Sequence, residues 1–189
     1  MRKIAMLGSG FIGRFYADSL VGLRSRDKIV SIYSRTEANA RKFAEDYGIA
    51  HFTSDMKESV NHDEVDTVII SLPNHQHEEA VMACVEAGKA VLCTKPLGRN
   101  AEEAYRMMEA VENAGIFAGY LEDLVYTPKY LKALESVQKG ALGNILWARS
   151  REAHPGPHSE WVWNKELADR GCILDLGCHC IEIWRGYIG

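Results

Sequence analysis

Three ionisable side chains have the types that acid–base chemistry at a bound substrate requires: Lys95, Asp175 and His179. Lys95 follows an apolar stretch that predicts a strand, and Pro96 favours an extended backbone at this lysine, which would aim its ammonium group at a fixed point. Asp175 and His179 are four residues apart, so a helix would bring carboxylate and imidazole to one face. There the carboxylate could orient the ring while both contact one substrate, although a purely structural Asp–His pair fits the spacing equally well.

The cysteines beside His179 do not predict a metal site. Cys178, His179 and Cys180 are consecutive, and consecutive side chains on a helix point in different directions, which makes them a poor set of ligands. The chain has five cysteines, an odd number in an otherwise ordinary composition. We therefore expect reduced thiols and no metal.

The opening of the chain is the element that would hold a cofactor beside these side chains. Residues 3–7 form an apolar stretch that leads into the pattern G-x-G-x-x-G and then into a helical pattern. Gly8 would allow the tight turn, Gly10 would let the backbone approach a pyrophosphate, and Gly13 would let the helix pack against the strand. The N–H groups at the helix start would face the phosphates. This context predicts dinucleotide binding by Gly8, Ser9, Gly10, Phe11, Ile12 and Gly13.

The end of the second predicted strand bears on the choice between NAD and NADP. An NAD site would place an acidic residue here, about 20 residues after the last glycine, to bind the ribose hydroxyls. This chain has Ser34, Arg35 and Thr36 instead. The two hydroxyls can hydrogen-bond a 2′-phosphate, and Arg35 can pair with it and stack on adenine. The sequence thus predicts a preference for NADP, with NAD possible.

Strands and helices alternate with short joints through about residue 120. Apolar stretches predict further strands near residues 28–33, 51–52, 65–71, 90–93 and 116–120. Right-handed crossovers between them give an α/β fold with a doubly wound parallel sheet. We therefore assign residues 1–120 to a dinucleotide-binding Rossmann domain.

The pattern changes after residue 120. Thr127 and Pro128 predict the start of a helix, and residues 145–153 alternate as a half-buried strand does. A loop rich in proline and glycine follows at residues 154–158, and a final helix is predicted over residues 171–187. We interpret residues 121–189 as the incomplete start of a second, substrate-binding or oligomerisation domain.

Composition excludes several classes of function. A formal net charge of −4 without a block of like charges argues against a nucleic-acid surface. No apolar run approaches the roughly 20 residues that span a bilayer. The first strand begins too early to leave room for a signal peptide, so we expect a cytoplasmic protein.

Together, these motifs resemble the Gfo/Idh/MocA family, which includes glucose-fructose oxidoreductase, inositol dehydrogenase and the rhizopine-catabolism protein. The resemblance covers essentially the whole chain. It rests on the glycine loop, on Leu72-Pro73-Asn74 with His77, on Gly88-Lys89 leading to Thr94-Lys95-Pro96, and on Asp175 with His179. The last two motifs, in this order and separation, are far more specific than the first.

The resemblance implies a Rossmann domain followed by an α/β domain with a mainly antiparallel sheet. It also implies NAD- or NADP-dependent oxidation or reduction of sugars, polyols and related ring alcohols or ketones. In that family Lys95 would hydrogen-bond the reacting oxygen, His179 would exchange its proton and Asp175 would position the substrate. Further cofactor contacts would come from Leu72, Pro73, Asn74, His77 and Lys95.

The sequence departs from the family pattern at two places. Thr94 stands where the family commonly has glutamate before the lysine, which affects the support of Lys95 or of the nicotinamide. Residues 169–172 replace a glycine-rich run ahead of the aspartate, so that turn would differ.

The substrate class follows only loosely from the residues. His154, His158, Trp161 and Trp163 would suit a polar, aromatic pocket for a sugar ring, but such residues also serve in ordinary packing.

Members of the family are often oligomers, so a homo-oligomer is possible. A non-catalytic NADP-binding sensor or interaction protein on the same fold is the alternative function. Because relatives continue for a further hundred residues or more, we expect either a fragment of a longer enzyme or a chain whose missing sheet comes from another copy or another chain, with very low activity alone.

Overall fold

Six strands form one sheet in the order β3-β2-β1-β4-β5-β6. A computed structural model describes residues 1–22, 25–157, 159–168 and 171–189. The ladders that join β1 to β5 are parallel. The strands span Lys3–Leu7 (β1), Lys28–Tyr33 (β2), His51–Thr53 (β3), Thr67–Ile70 (β4), Ala90–Thr94 (β5) and Ala118–Leu121 (β6). This is the strand order of a Rossmann fold, with its switch point between β1 and β4, and the predicted parallel sheet is confirmed.

Helices cross between the strands, and short polar side chains begin several of them. Thr36, Asp55 and Asn100 each accept a hydrogen bond from a backbone N–H in the first turn of the helix that follows. Five helices belong to the region of the sheet: α1 (Phe11–Leu20), α2 (Glu37–Tyr47), α3 (Met56–Asn61), α4 (His77–Glu86) and α5 (Ala101–Ala114). A 3₁₀ turn at Asn74–Gln76 precedes α4.

The core lies between the central strands and these helices. All four residues of β4 are buried, and so are the last four residues of β1. A strand whose side chains are buried on both faces reads as a continuous apolar run, which is why this region was recognisable in the sequence.

The chain divides into two compact units, Met1–Tyr120 and Leu121–Gly189. The second unit is mostly helical. Its elements are a 3₁₀ turn (Leu124–Tyr126), α6 (Pro128–Gln138), a 3₁₀ turn (Glu160–Trp163), α7 (Lys165–Ala168), a π-helical turn (Ile173–Gly177) and α8 (Cys178–Ile188). Over the described parts of the chain, no helix combines the length and apolar character that crossing a membrane requires.

The predicted strand over residues 145–153 is wrong. The segment runs without regular structure, and Trp147 is 76% exposed. An extended segment becomes a strand only by hydrogen bonding to a neighbour, and no other strand lies between residues 122 and 189 as far as the structure describes them. The expectations for His158, Asp169 and Arg170 lie outside the described residues. The described residues of the second unit show no antiparallel sheet.

Candidate active site

The glycine loop joins β1 to α1, and packing within the protein itself requires glycine at two of its positions. Gly8 has a φ of +112°, and a Cβ built on it would lie 2.5 Å from the carbonyl oxygen of Ser71. A Cβ on Gly13 would lie 2.1 Å from the carbonyl oxygen of Gly8. Any side chain at either position would therefore force the loop apart.

Gly10 differs from both neighbours in the motif. Its φ is −76°, which any residue can adopt, and no heavy atom lies within 4 Å of a Cβ built there. Nothing in the described protein requires glycine at this position, whereas the pyrophosphate of a dinucleotide would approach there. Helix α1 begins at the next residue with no side-chain cap and no acidic residue in its first turn. The loop thus fits an anionic ligand.

The end of β2 contacts the glycine loop directly. The backbone N–H of Gly8 donates to Tyr33 O at 2.9 Å, and the hydroxyls of Ser9 and Ser34 lie 2.7 Å apart. Ser34 is buried, whereas Arg35 and Thr36 are exposed. The Thr36 hydroxyl accepts a hydrogen bond from the N–H of Asn39, so this residue caps α2. Of these three residues, Arg35 is therefore the one with an exposed, positively charged side chain that could bind a phosphate.

His77 ties together two loops at the same edge of the sheet. Its Nε2 lies 2.9 Å from Leu72 O, after β4, and its Nδ1 lies 2.9 Å from Pro96 O, after β5. The ring is only 1% exposed, and this burial lowers the pKa of His77, an effect that the carbonyl contacts offset only in part. The sequence grouped His77 with the cofactor contacts, but its ring nitrogens face backbone carbonyls.

Lys95 directly follows β5 and precedes a cis peptide bond to Pro96. Its side chain is partly exposed, and the threonine before it is buried. The other residues predicted near the cofactor in this region are Leu72 and Asn74, which are buried, and Pro73, which is half-buried. The glycine loop, Ser34, Leu72 and Lys95 therefore follow β1, β2, β4 and β5 at the carboxyl edge of one parallel sheet, where such folds bind ligands.

In the second unit, His179 has a partner that the sequence did not predict. Nδ1 of His179 lies 2.5 Å from Oε2 of Glu122, and both side chains are buried. Glu122 directly follows the last strand of the sheet, the same position relative to β6 that Lys95 has relative to β5. An acidic residue directly after a predicted strand was therefore the signal in the sequence that could have identified Glu122.

Asp175 has a different imidazole beside it. Its Oδ2 lies 3.1 Å from Nε2 of His154, which lies in a segment without helix or strand at residues 151–157. The prediction of one shared helical face assumed an α-helix, but Ile173–Gly177 is π-helical. The α-helix begins only at Cys178, so the two residues belong to different helical elements. The side chain of His179 contacts Glu122, and that of Asp175 contacts His154.

A metal site at this place is disfavoured by geometry. Atoms of Glu122, Cys178 and His179 that could bind a metal lie within 4.8 Å of one another. Two ligands of one tetrahedral zinc stand about 3.4 Å apart, given zinc–ligand distances of about 2.0–2.2 Å. The 2.5 Å between Oε2 of Glu122 and Nδ1 of His179 is too short for two ligands of one zinc, so these atoms contact each other directly.

Comparison with known proteins extends over both units. The model of the Gfo/Idh/MocA oxidoreductase family, NAD-binding Rossmann fold, matches residues 2–120. A model of the Gfo/Idh/MocA C-terminal domain matches residues 130–189.

Individual relatives are dehydrogenases. Levoglucosan dehydrogenase of Pseudarthrobacter phenanthrenivorans is 28% identical, over 99% of this chain and 51% of that protein. Trans-1,2-dihydrobenzene-1,2-diol dehydrogenase of Macaca fascicularis is 30% identical, over 84% of this chain and 47% of its own length. The chain thus spans about half the length of the curated relatives it matches.

Solved structures agree. GenD2 from gentamicin A biosynthesis, in complex with NAD, superposes with a TM-score of 0.88 at 26% identity, over all of this chain and 54% of that one. Levoglucosan dehydrogenase with NADH and levoglucosan gives a TM-score of 0.85 at 28% identity, over all of this chain and 53% of that one. The predicted resemblance is confirmed: the chain belongs to the Gfo/Idh/MocA family of NAD-binding oxidoreductases.

Proposed function

We propose that this chain serves an oxidoreductase that moves a hydride between nicotinamide C4 and the carbinol carbon of a sugar, a polyol or a related cyclic alcohol. The observation that carries the proposal is the arrangement of one sheet edge. The glycine loop and Lys95 both follow strands at the carboxyl edge of the same parallel sheet, one on β1 and the other on β5. A cofactor bound at the loop would extend its reactive end along this edge.

The cofactor is assigned to the first unit. Backbone N–H groups at the start of α1 would bind the pyrophosphate, with Gly10 providing the room for its approach. Arg35 would bind a 2′-phosphate, which makes NADP the preferred form. Once bound, the nicotinamide supplies the hydride chemistry. His77 acts indirectly, because it holds the loop after β4 against the turn that carries Lys95.

The protein's share of the chemistry is orientation and charge. In the oxidation direction His179 would accept the hydroxyl proton as the carbonyl forms, and a bound nicotinamide would supply the acceptor for the hydride that leaves the carbinol carbon. Lys95 donates a hydrogen bond to the reacting oxygen and stabilises the charge that develops there. Asp175 positions the substrate. Reduction runs through the same groups with the proton returning to the oxygen.

The substrate class rests on the relatives. Levoglucosan dehydrogenase and the dihydrodiol dehydrogenase are named for cyclic molecules that carry secondary hydroxyls. Half-buried Trp161 and exposed Trp163, on a 3₁₀ turn, supply aromatic surface of the kind that sugar rings stack on. A second copy of the chain is a candidate partner, since members of this family often assemble.

The test is a screen of anhydrosugars, inositols and cyclic diols with NADP or NAD, read as absorbance of the reduced nicotinamide. The wild-type chain is expected to consume cofactor with at least one alcohol, at the very low rate expected of the 189 residues alone. Lys95→Ala should lower turnover by a hundredfold or more, since loss of one group that stabilises a developing charge lowers kcat by about 10²–10³-fold. Binding of NADPH to Lys95→Ala should change little.

Two results would contradict the proposal. Turnover by Lys95→Ala at the wild-type rate would remove the lysine from the mechanism. Binding of cofactor without consumption of it, for every alcohol and ketone in the screen, would instead favour a sensor on the same fold.

A further inference from the structure

We propose that Glu122 is a positioning residue that orients the imidazole of His179 for proton transfer, the role that the sequence suggested for Asp175. The inference rests on the proposed function for its consequence in catalysis. Its structural part, the pairing of Glu122 with His179 and the tautomer that follows, stands on the contacts of residues 121–189 alone.

Both oxygens of the Glu122 carboxylate are engaged. Oε1 accepts a hydrogen bond from the backbone N–H of Leu124 at 3.0 Å, and Oε2 lies 2.5 Å from Nδ1 of His179. The backbone contact fixes the orientation of the carboxylate, because it comes from the 3₁₀ turn that begins two residues later. The second oxygen is thereby held toward the ring.

Burial makes the contact between the two side chains consequential. Glu122 is 2% exposed and His179 is 8% exposed. Oε2 and Nδ1 make no hydrogen bond of ordinary geometry in the described structure, so their 2.5 Å ion-pair contact is the polar interaction that each atom has. A buried carboxylate without a partner costs several kcal/mol, whereas a charge-assisted hydrogen bond is about twice as strong as a neutral one. The pair therefore has a strong reason to stay together.

The chemistry of a carboxylate decides which nitrogen carries the proton. An ionised carboxylate only accepts hydrogen bonds, so the Nδ1–H of His179 donates to Oε2 of Glu122. In the neutral ring the other nitrogen, Nε2, then lacks a proton. This is the nitrogen that can accept the proton of a substrate hydroxyl, and its direction is set by the first contact.

Asp175 is engaged by another histidine. Its Oδ2 faces Nε2 of His154 at 3.1 Å, in a pair that is partly exposed. The two carboxylates of this region thus have separate imidazole partners. Substitution of one or the other carboxylate distinguishes the proposal from the arrangement that the sequence suggested.

The experiment is nitrogen-15 NMR of the histidine side chains in the labelled 189-residue chain, recorded about two pH units above the usual imidazole pKa of about 6.5. In the wild-type protein His179 should be the Nδ1–H tautomer. Glu122→Gln should convert most of it to the Nε2–H tautomer, because an amide can donate to Nδ1 as well as accept from it. Asp175→Asn should leave the tautomer of His179 unchanged and alter only the signals of His154.

Two outcomes would overturn the pairing. One is an Nε2–H tautomer for His179 in the wild-type protein, a result that requires no variant to fold. The other is a tautomer that responds to Asp175→Asn and not to Glu122→Gln.

Turnover tests the consequence. With an alcohol substrate from the screen, Glu122→Gln should lower kcat by about tenfold to a hundredfold, part of the 10²–10⁴ that a general base contributes, while KM for NADP stays within about twofold. Glu122→Asp keeps the charge and should recover part of kcat. Unchanged kcat in Glu122→Gln would refute the positioning role while the proposed function stood. The predicted tautomer without turnover of any alcohol would leave the pair intact and sink the proposed function instead.

Discussion

The two units of this chain are stabilised in different ways. Nearly all buried apolar side chains among the described residues belong to residues 1–120, and only Ala168 and Ile183 belong to the second unit. That unit instead exposes large apolar groups, among them Leu146 and Trp147. Its buried polar residues are Glu122 and His179.

The difference shows how a scaffold and a reactive group are positioned by separate means. In the first unit, dense packing fixes the ends of the strands and therefore the loops that follow them. In the second unit, the orientation of the buried imidazole of His179 depends on its contact with the carboxylate of Glu122. A change in the core should therefore affect the whole first unit, whereas most apolar side chains of the second unit should be replaceable at little cost.

The largest expected effect comes from equal truncations in the two units. Ile70→Ala removes a fully buried side chain from β4 and should lower the free energy of unfolding by about 2–5 kcal/mol. Ile173 is 65% exposed, so Ile173→Ala should change the free energy of unfolding by no more than about 0.5 kcal/mol. Urea unfolding followed by circular dichroism measures both. Equal costs for the two substitutions would show that the contrast between the units is wrong.

A smaller effect concerns the cofactor and should be confined to the first unit. NADPH should bind more tightly than NADH, and Arg35→Ala should narrow the gap by about 1.5–3 kcal/mol, the contribution of a hydrogen bond to a charged group. Arg41→Ala is the matched control, because this arginine on α2 pairs with Glu37 at 2.8 Å. Fluorescence titration with both cofactors decides it. Equal affinities of the wild-type chain for NADPH and NADH would refute the preference.

The smallest effect tests whether an ion pair matters beside a packed core. Burial alone would raise the pKa of Glu103, but hydrogen bonds from the Arg99 side chain and N–H, together with the charge of Arg99, lower it below its usual value. The pair therefore stabilises the protein above the unfolded pKa of about 4.3, and this contribution is lost as the pH falls through the depressed folded pKa.

Unfolding between about pH 3 and pH 7 measures this contribution. Glu103→Gln should be less stable than wild type by about 1 kcal/mol near pH 7, and the difference should shrink toward pH 3. Glu102→Gln, at an exposed neighbouring position, is the control and should follow the wild-type curve. A difference that grows as the pH falls would reverse the sign and contradict the account.

The fold of the first unit could be predicted because its signals are local. Buried parallel strands read as apolar runs, and Thr36 and Asn100 mark helix starts by their type alone. The motif also includes the two glycines that packing requires, because a Cβ at position 8 or 13 would collide with a backbone carbonyl oxygen. Right-handed crossovers then predict helices on both faces of a parallel sheet, whereas the order of the strands is known from the structure.

The second unit was less predictable because its contacts are not local. An alternating segment such as residues 145–153 forms a strand only beside a partner, which the pattern itself cannot supply. The side-chain partners of Asp175 and His179 are His154 and Glu122, which the spacing of four residues does not encode. Glu122 and His179 are 57 positions apart in sequence, so their contact exists only once the chain has folded.

The central claim is that the glycine loop binds a nicotinamide dinucleotide, and a titration of NADPH into the chain tests it most directly. The fluorescence of the nicotinamide should report saturable binding to the wild-type protein. Gly10→Val should fold with unchanged circular dichroism, because no heavy atom lies within 4 Å of its Cβ position. Its affinity should fall at least tenfold, since the side chain would occupy the path of the pyrophosphate. Failure of the wild-type chain to bind, or wild-type affinity in Gly10→Val, would contradict the account.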